Sequence, residues 1–386
     1  MEDIKKDLGV SDTAMGLLTG VYFSMFYLIA GVPLARLADI GSRRTLIAVS
    51  LAVWSTATMC CGLAQSYAQL AISRIFVATG EAGSSPATYS LIANIFPLAR
   101  RTRFLAVITA GACLGTSLGI FIGGALHDVL SWRMVFVVAG APGLLLALLL
   151  RLTLPEPQRT QTKTAQAPST ALASLAALFR IPTFRALCIT AFAGGLAGFG
   201  ILAWVPTFLT RVHHMSSKGI GAELSIATGL GLICGSLSSG YLADRLARTH
   251  PRRLIWASCF GLLACVPFGV AVAFAPDGRS AIIAFGFFMY FFGFWTPPVT
   301  ATALAIAPER SRAMASAASP FFQSLGSALG PFLIGALNDA LAPTYGSGAI
   351  RFSILSSAVS AGIAGLACLV GARLLARDLK VTAGGS

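Results

Sequence analysis

The chain is a series of apolar runs, each about 20 residues or longer, separated by short loops rich in Arg. A helix of that length crosses a hydrocarbon core of about 30 Å. This feature constrains the fold more than any other. The runs are long and continuous and do not alternate, so they are membrane helices and not barrel strands. Spans are expected at 15–35, 45–65, 69–95, 104–126, 133–153, 183–209, 219–242, 254–275, 281–306, 314–337 and 350–373. Composition agrees, because only 11% of residues are charged, less than half the share of an average soluble chain. The fold class is an all-α polytopic membrane protein.

The formal net charge of +14 invites a nucleic-acid reading, and its distribution argues against one. Basic residues crowd alternate loops: Arg36, Arg43, Arg44, Arg100, Arg101, Arg103, the 151–185 connector, Arg245, Arg248, Arg252, Arg253, Arg310, Arg312 and the tail after Arg373. The opposite loops hold few, among them Lys5, Lys6, Arg133, Arg211 and Arg351. The positive-inside rule makes the rich side, and with it the C-terminus, cytoplasmic. The charge is a topology signal, and the expected partner is the lipid bilayer, not nucleic acid. All eight Cys fall inside expected spans, so they read as small core residues with no metal site and no disulfide framework. No cofactor is expected, and the polar first residues do not resemble a cleavable signal peptide.

The two halves repeat each other. "ARLADIGSRR" at 35–44 answers "GYLADRLART" at 240–249, and "GALHDVL" at 124–130 answers "GALNDAL" at 335–341. Gly115 and Gly119 match Gly326 and Gly330, and Pro97 and Arg101 match Pro308 and Arg312. The expected organisation is an N-terminal bundle over 1–154, a Thr- and Gln-rich cytoplasmic linker over 155–181, and a C-terminal six-helix bundle over 182–386. The second half has a span before its L-A-D span and the first half has none. The simplest expectation is that the first of twelve helices is missing from a truncated start; the alternative is a true eleven-helix chain.

These landmarks resemble the major facilitator superfamily of secondary transporters. The L-A-D loops resemble its Gly-x-x-x-Asp signature loop, kept as Gly240 and Asp244, with Ala35 ahead of Asp39 in the first copy. "GIFIGG" at 119–124 resembles its G-P-x-x-G-G pattern, with Ile120 in place of Pro. "RIFVATGEAGSSPA", "FPLARRTR", "APERSRAMASA" and "SLGSALGPFLIGALND" resemble the spinster-like group of lysolipid and sphingolipid transporters. The resemblance implies alternating access, proton coupling and an amphipathic or anionic lipid-like substrate; a bacterial-type inner (plasma) membrane is expected, and a monomer is the default with oligomeric state open. It implies gating roles for Asp39, Arg43, Asp244 and Arg245 at the cytoplasmic helix ends; the plainer reading is that each marks a helix end.

Arg74 and Glu81 stand inside the apolar run 69–95. They lie two helical turns apart, on one face and about 10 Å along the axis. A charge at the bilayer centre costs about 2.5–3.5 kcal/mol on insertion scales, so it persists only where it meets a polar cavity or a partner. A carboxylate held between desolvation and a nearby cation can load and release a proton, and Arg74 suits an anionic group. The alternative is a structural ion pair. Tyr27, Trp204, Tyr290 and Trp295 are candidate cavity-lining aromatics, with Trp204 also fitting an interface anchor. Pro297 and Pro298 are expected to break their span, with Pro86 at the matching place. His213 and His214 read as a surface loop. No phosphate loop, H-E-x-x-H or G-x-S-x-G motif occurs, so an enzyme is not expected. The function expected is secondary transport coupled to protons. An organic-anion symporter is the nearest alternative, and a non-transporting receptor or lipid scramblase the alternative of another class.

Overall fold

The computed structural model describes residues 1–95, 98–127, 129–154, 175–249, 255–307 and 311–383. Among these the chain is helical, with no strand. In hydrocarbon, backbone N–H and C=O groups have no water to bond, and a helix satisfies them within its own segment. The expected spans fall on helical residues, although those at 15–35 and 281–306 each cover more than one helical segment, and seven described stretches are long and apolar enough to cross a bilayer. The outward faces fit that setting: Val32 is 77% exposed and Leu152 72%. Contacts divide the chain into two units, Met1–Lys163 with Ser216–Ala222, and Thr164–Met215 with Glu223–Ser386.

The first unit opens with two short helices, α1 (Glu2–Leu8) and α2 (Asp12–Gly16), and a π-helical turn, Leu17–Val21. The long helices follow: α3 (Tyr22–Ile40), α4 (Arg43–Leu63), α5 (Tyr67–Ile95), α6 (Leu98–His127) and α7 (Trp132–Thr153). Ser42 and Ser131 start α4 and α7 by accepting hydrogen bonds from the backbone N–H groups of Thr45 and Met134. Helix α4 is the hub and packs on both α5 and α7. Glycine permits that approach. A Cβ on Gly80 would sit 2.7 Å from the Trp54 nitrogen, and one on Gly140 would sit 2.6 Å from the Ser55 carbonyl oxygen. Ala38, Leu46, Ile47, Ala87 and Leu91 form the buried cluster where α3, α4 and α5 meet.

Helix α1 was hidden from the hydropathy pattern because it is polar. Charges clasp it to the unit. Asp3 pairs with His127 at 2.9 Å, Lys5 with Asp12 at 2.6 Å, and Asp7 with Arg133. Trp132 Nε1 also donates to Asp7, at 3.1 Å. The hydrogen bond from Arg133 holds the Asp7 carboxyl below its ordinary range.

The second unit contains α8 (Pro182–His213), α9 (Ser217–Thr249, from Glu223 on), α10 (Trp256–Ala273), α11 (Gly278–Phe292), α12 (Thr296–Ile306), α13 (Arg312–Tyr345) and α14 (Ala349–Ala383). Helix α8 is its hub and packs on α13 and α14. Helices α8 and α13 run parallel: Gly326 meets Phe192, Gly330 meets Leu196 and Gly200, and Ile334 reaches Gly200. A Cβ on Gly330 would stand 2.6 Å from the Leu196 carbonyl oxygen. Small residues at this spacing let membrane helices touch backbone to backbone.

The span expected over 281–306 is broken between α11 and α12. Serines from neighbouring helices bond two carbonyls at the break. Ser239 Oγ donates to Phe294 O at 2.7 Å, and Ser258 Oγ donates to Trp295 O at 2.9 Å. Pro86, the matching residue, lies inside an unbroken α5.

The matching glycines of the two halves differ in packing. Gly326 and Gly330 are packed, whereas a Cβ on Gly115 or Gly119 would meet nothing within 4 Å. His213 is the last residue of α8, stacked edge-on against Phe208 at 5.1 Å, rather than part of a surface loop. His214 closes the helix in the left-handed region with φ 52°. Cys60 and Cys234 are exposed, unlike the core residues expected.

Two predictions follow from the packing and the clasp. Gly326→Leu should lower the thermal midpoint in detergent markedly, by overpacking worth about 1–3 kcal/mol or more; Gly115→Ala should leave it unchanged. Equal melting of the two variants would refute the difference in packing. The Asp7 carboxyl is depressed, so its contribution is present above the unfolded value and lost as pH falls through the folded one. Helix α1 amides should therefore keep their exchange protection at neutral pH and lose it below about pH 4. Asp7→Asn should remove that pH step, and an unchanged step would show that Asp7 does not hold the clasp.

Candidate functional site

Glu81 is the central residue of α5, and Arg74 lies two turns before it. The same face continues through Ser84, Ser85 and Thr88, so one polar stripe runs along an otherwise apolar rod. Arg74, Glu81, Ser84 and Ser85 are all half-buried. Helix α3 packs along α5. Near the outer end Tyr67 donates to Ala14 O at 2.8 Å, and its ring lies 6.5 Å from that of Tyr22.

The next residue of α3, Phe23, lies against Arg74. The guanidinium carbon sits 5.0 Å from the ring centroid. A ring face offers a buried cation partial compensation without neutralising it. Phe23 stacks on Tyr27 at 6.2 Å, and the Tyr27 side chain is hydrogen-bonded to Ser85. Tyr27 therefore stands beside Glu81, within reach of its charge.

The expected partners Arg74 and Glu81 share a face without touching. Among the described residues they form no direct ion pair, and Arg74 acts on Glu81 through its field. No described side chain hydrogen-bonds the Glu81 carboxylate, and its backbone carbonyl accepts Ser84 Oγ at 2.9 Å.

Arg74, Glu81 and Tyr27, singled out from the sequence, lie together along α3 and α5. Sequence reasoning missed Phe23 as the ring over Arg74, Ser85 as the partner of Tyr27, and the π turn that precedes Phe23. The "GSSP" run after Glu81 was the available signal for Ser85. π-helical turns are frequent at functional sites, and hydropathy carries no sign of this one.

Other candidates fall elsewhere. Arg43 is half-buried at the start of α4 and Arg245 is exposed. The side chains of Asp39 and Asp244 lie outside the described residues. Trp204 and Trp295 are enclosed in the second unit: they are 1% and 0% exposed. Trp204 is enclosed by the α8–α13 seam and donates to Pro331 O at 2.9 Å. Trp295 lies against Gly194, where a Cβ would meet its ring at 3.2 Å. Tyr290 does border a groove, of about 450 Å³, between α9 and α11. Among the described residues no cluster has the make-up of a metal site.

A bundle of long apolar helices defines the class as polytopic membrane proteins. The chain belongs to the major facilitator superfamily, whose family model matches residues 1–331, and within it is spinster-like. It is 36% identical over 95% of its length to an MFS-type efflux pump of Mycolicibacterium smegmatis, covering 85% of that protein. It is 28% identical over 98% of its length to protein spinster homolog 1 of Mus musculus, covering 77% of it. The crystal structure of a bacterial homolog to the human lysosomal transporter Spinster, inward-facing and unoccupied, superposes with a TM-score of 0.85 at 26% identity. That match covers 98% of this chain and 92% of the other. Members of this family are transporters of small molecules, not enzymes, and sit integrally in the membrane.

The Arg74–Phe23 contact is open to a double-mutant cycle with Phe23→Leu and Arg74→Gln. Unfolding free energies should show a coupling of about 0.5–2 kcal/mol. Additivity within a few tenths of a kcal/mol would mean that the ring contributes nothing to holding Arg74.

Proposed function

We propose that the chain is a proton-coupled secondary transporter working by alternating access. In this reading the bundles over 1–154 and 182–386 rock about a site whose polar end is Glu81 and Arg74, and the linker over 155–181 is cytoplasmic. The observation that carries it is the half-buried carboxylate at the centre of α5, beside a cation it does not touch. Protonated, Glu81 crosses the closed state as a neutral group. Deprotonated, it draws on the field of Arg74. Arg74 is then free to hold the anionic head of a substrate in one state and to face Glu81 in another. Tyr27, held by Ser85, fixes the wall beside the carboxylate. Asp39, Arg43, Asp244 and Arg245 are the proposed gate at the cytoplasmic helix ends.

The substrate proposed is an amphipathic or anionic organic solute of the lysolipid or sphingoid kind. The spinster relatives and the apolar ring pair Phe23 and Tyr27 beside the charges support it. A second reading, a symporter for organic anions such as sugar acids, is favoured by Arg74 alone, since a guanidinium suits a carboxylate. The bacterial-type plasma membrane and a cytoplasmic C-terminus belong to the same proposal, on the evidence of the loop charges.

The test is Glu81→Gln in proteoliposomes carrying a lumenal pH dye, with lysophosphatidylethanolamine or gluconate as probe. Wild type should couple movement of one probe to proton flux. The variant should elute and melt as wild type, keep substrate exchange, and lose its pH dependence. A folded Glu81→Gln protein with unchanged proton-driven flux would overturn the switch. A variant that fails to fold, while Glu81→Asp folds and couples normally, would favour the structural ion pair. Lipid movement that persists at full rate without any gradient would indicate a scramblase.

A further inference from the structure

Two buried thiols face each other in the second unit. Cys259 on α10 and Cys368 on α14 are 2% and 0% exposed, and their Sγ atoms are 3.1 Å apart. The placement follows from the antiparallel packing of the two helices. Leu263 lies against Gly365, and Gly269 lies against Ala358. Continuing that register toward the start of α10 brings residue 259 opposite residue 368. The seam is tight there: a Cβ on Gly365 would come 2.7 Å from the Leu263 side chain. A disulfide needs the sulfurs at about 2.0 Å, so an approach of about 1 Å between helices already in contact closes the bond.

We propose that Cys259 and Cys368 are an oxidation site, converted by peroxide-class oxidants into a disulfide that ties α10 to α14. One thiol attacks hydrogen peroxide, breaking its O–O bond and giving a sulfenic acid and water. The sulfur of the other thiol then displaces the second water from that sulfenic sulfur. Two S–H bonds break, one S–S bond forms, the two sulfurs are oxidised, and peroxide is reduced to two waters. Peroxide is small and uncharged, which suits a site closed to larger reagents. The bond would form next to Ser258, the residue that holds Trp295 O at the break between α11 and α12. Oxidation would therefore fix the seam that supports the broken span. The remaining described cysteines have no sulfur partner in contact.

The test uses the full chain in mild detergent and in lipid vesicles. It is treated with hydrogen peroxide, quenched with N-ethylmaleimide, unfolded, digested without reductant and mapped by mass spectrometry. The expected product is one cross-linked peptide pair containing Cys259 and Cys368, lighter than the two reduced peptides by two hydrogen atoms. Its yield should be at least about tenfold higher from folded protein than from protein unfolded in sodium dodecyl sulfate, because the fold sets the proximity. Cys259→Ser should abolish the pair and leave Cys368 alkylatable after unfolding. The proposal is overturned if both thiols remain alkylatable in chains whose exposed Cys60 is already oxidised. Equal yields from folded and unfolded protein, or a bridge to any other cysteine, overturn it as well.

Discussion

A polar group in hydrocarbon must find its partner inside the protein, and most of this structure answers that requirement. The helices satisfy their own backbones. Where the span over 281–306 breaks, Ser239 and Ser258 supply hydroxyls to two of its carbonyls. The indole of Trp204 finds Pro331 O, and Arg74 finds the face of Phe23. Glu81 departs from this pattern. It sits at the centre of α5 with no donor on its carboxylate among the described residues. Its unsatisfied state is what makes it a candidate for gaining and losing a proton.

Among the described residues of the second unit, Thr183 Oγ1, His213 Nε2, the Trp295 indole N–H, the Asn338 amide and Ser357 Oγ are buried and without a partner. Each such group costs about 1–3 kcal/mol. Asn338 lies in "GALNDAL" and continues the ridge of Gly326, Gly330 and Ile334 on α13 at four-residue steps. That ridge is the α8-facing seam, so the polar residue is carried into the interior by the register that buries the glycines.

The spans were legible because length and apolarity along one segment suffice to specify a membrane helix, and no distant contact is needed. Arg74 and Glu81 were legible for the converse reason, since a charge in such a run is conspicuous. What escaped depends on packing between segments far apart in sequence. Phe23 is one of many aromatics in its span, and only the docking of α3 on α5 sets it over Arg74. Trp204 reads as an interface ring near a span end, yet the glycines of α8 and α13 bring the two helices close enough to enclose it. Helix α1 is too polar for a hydropathy argument, and its place depends on His127 and Arg133, both more than a hundred residues away along the chain.

The repeat was legible as sequence, and the structure shows how differently the copies are used. Pro86 removes one backbone donor from α5, which a long helix absorbs. Pro297 and Pro298 remove two in succession, and there the rod ends and begins again at Thr296. Gly326 and Gly330 are filled by α8, while Gly115 and Gly119 are left open. Arg74 and Glu81 belong to α5, and the broken, aromatic-rich span with its serine supports belongs to the second unit. The continuous α5 holds Arg74 and Glu81 on one face. The second unit keeps the break, where changing a few serine and carbonyl contacts can bend a span without exposing its backbone to lipid.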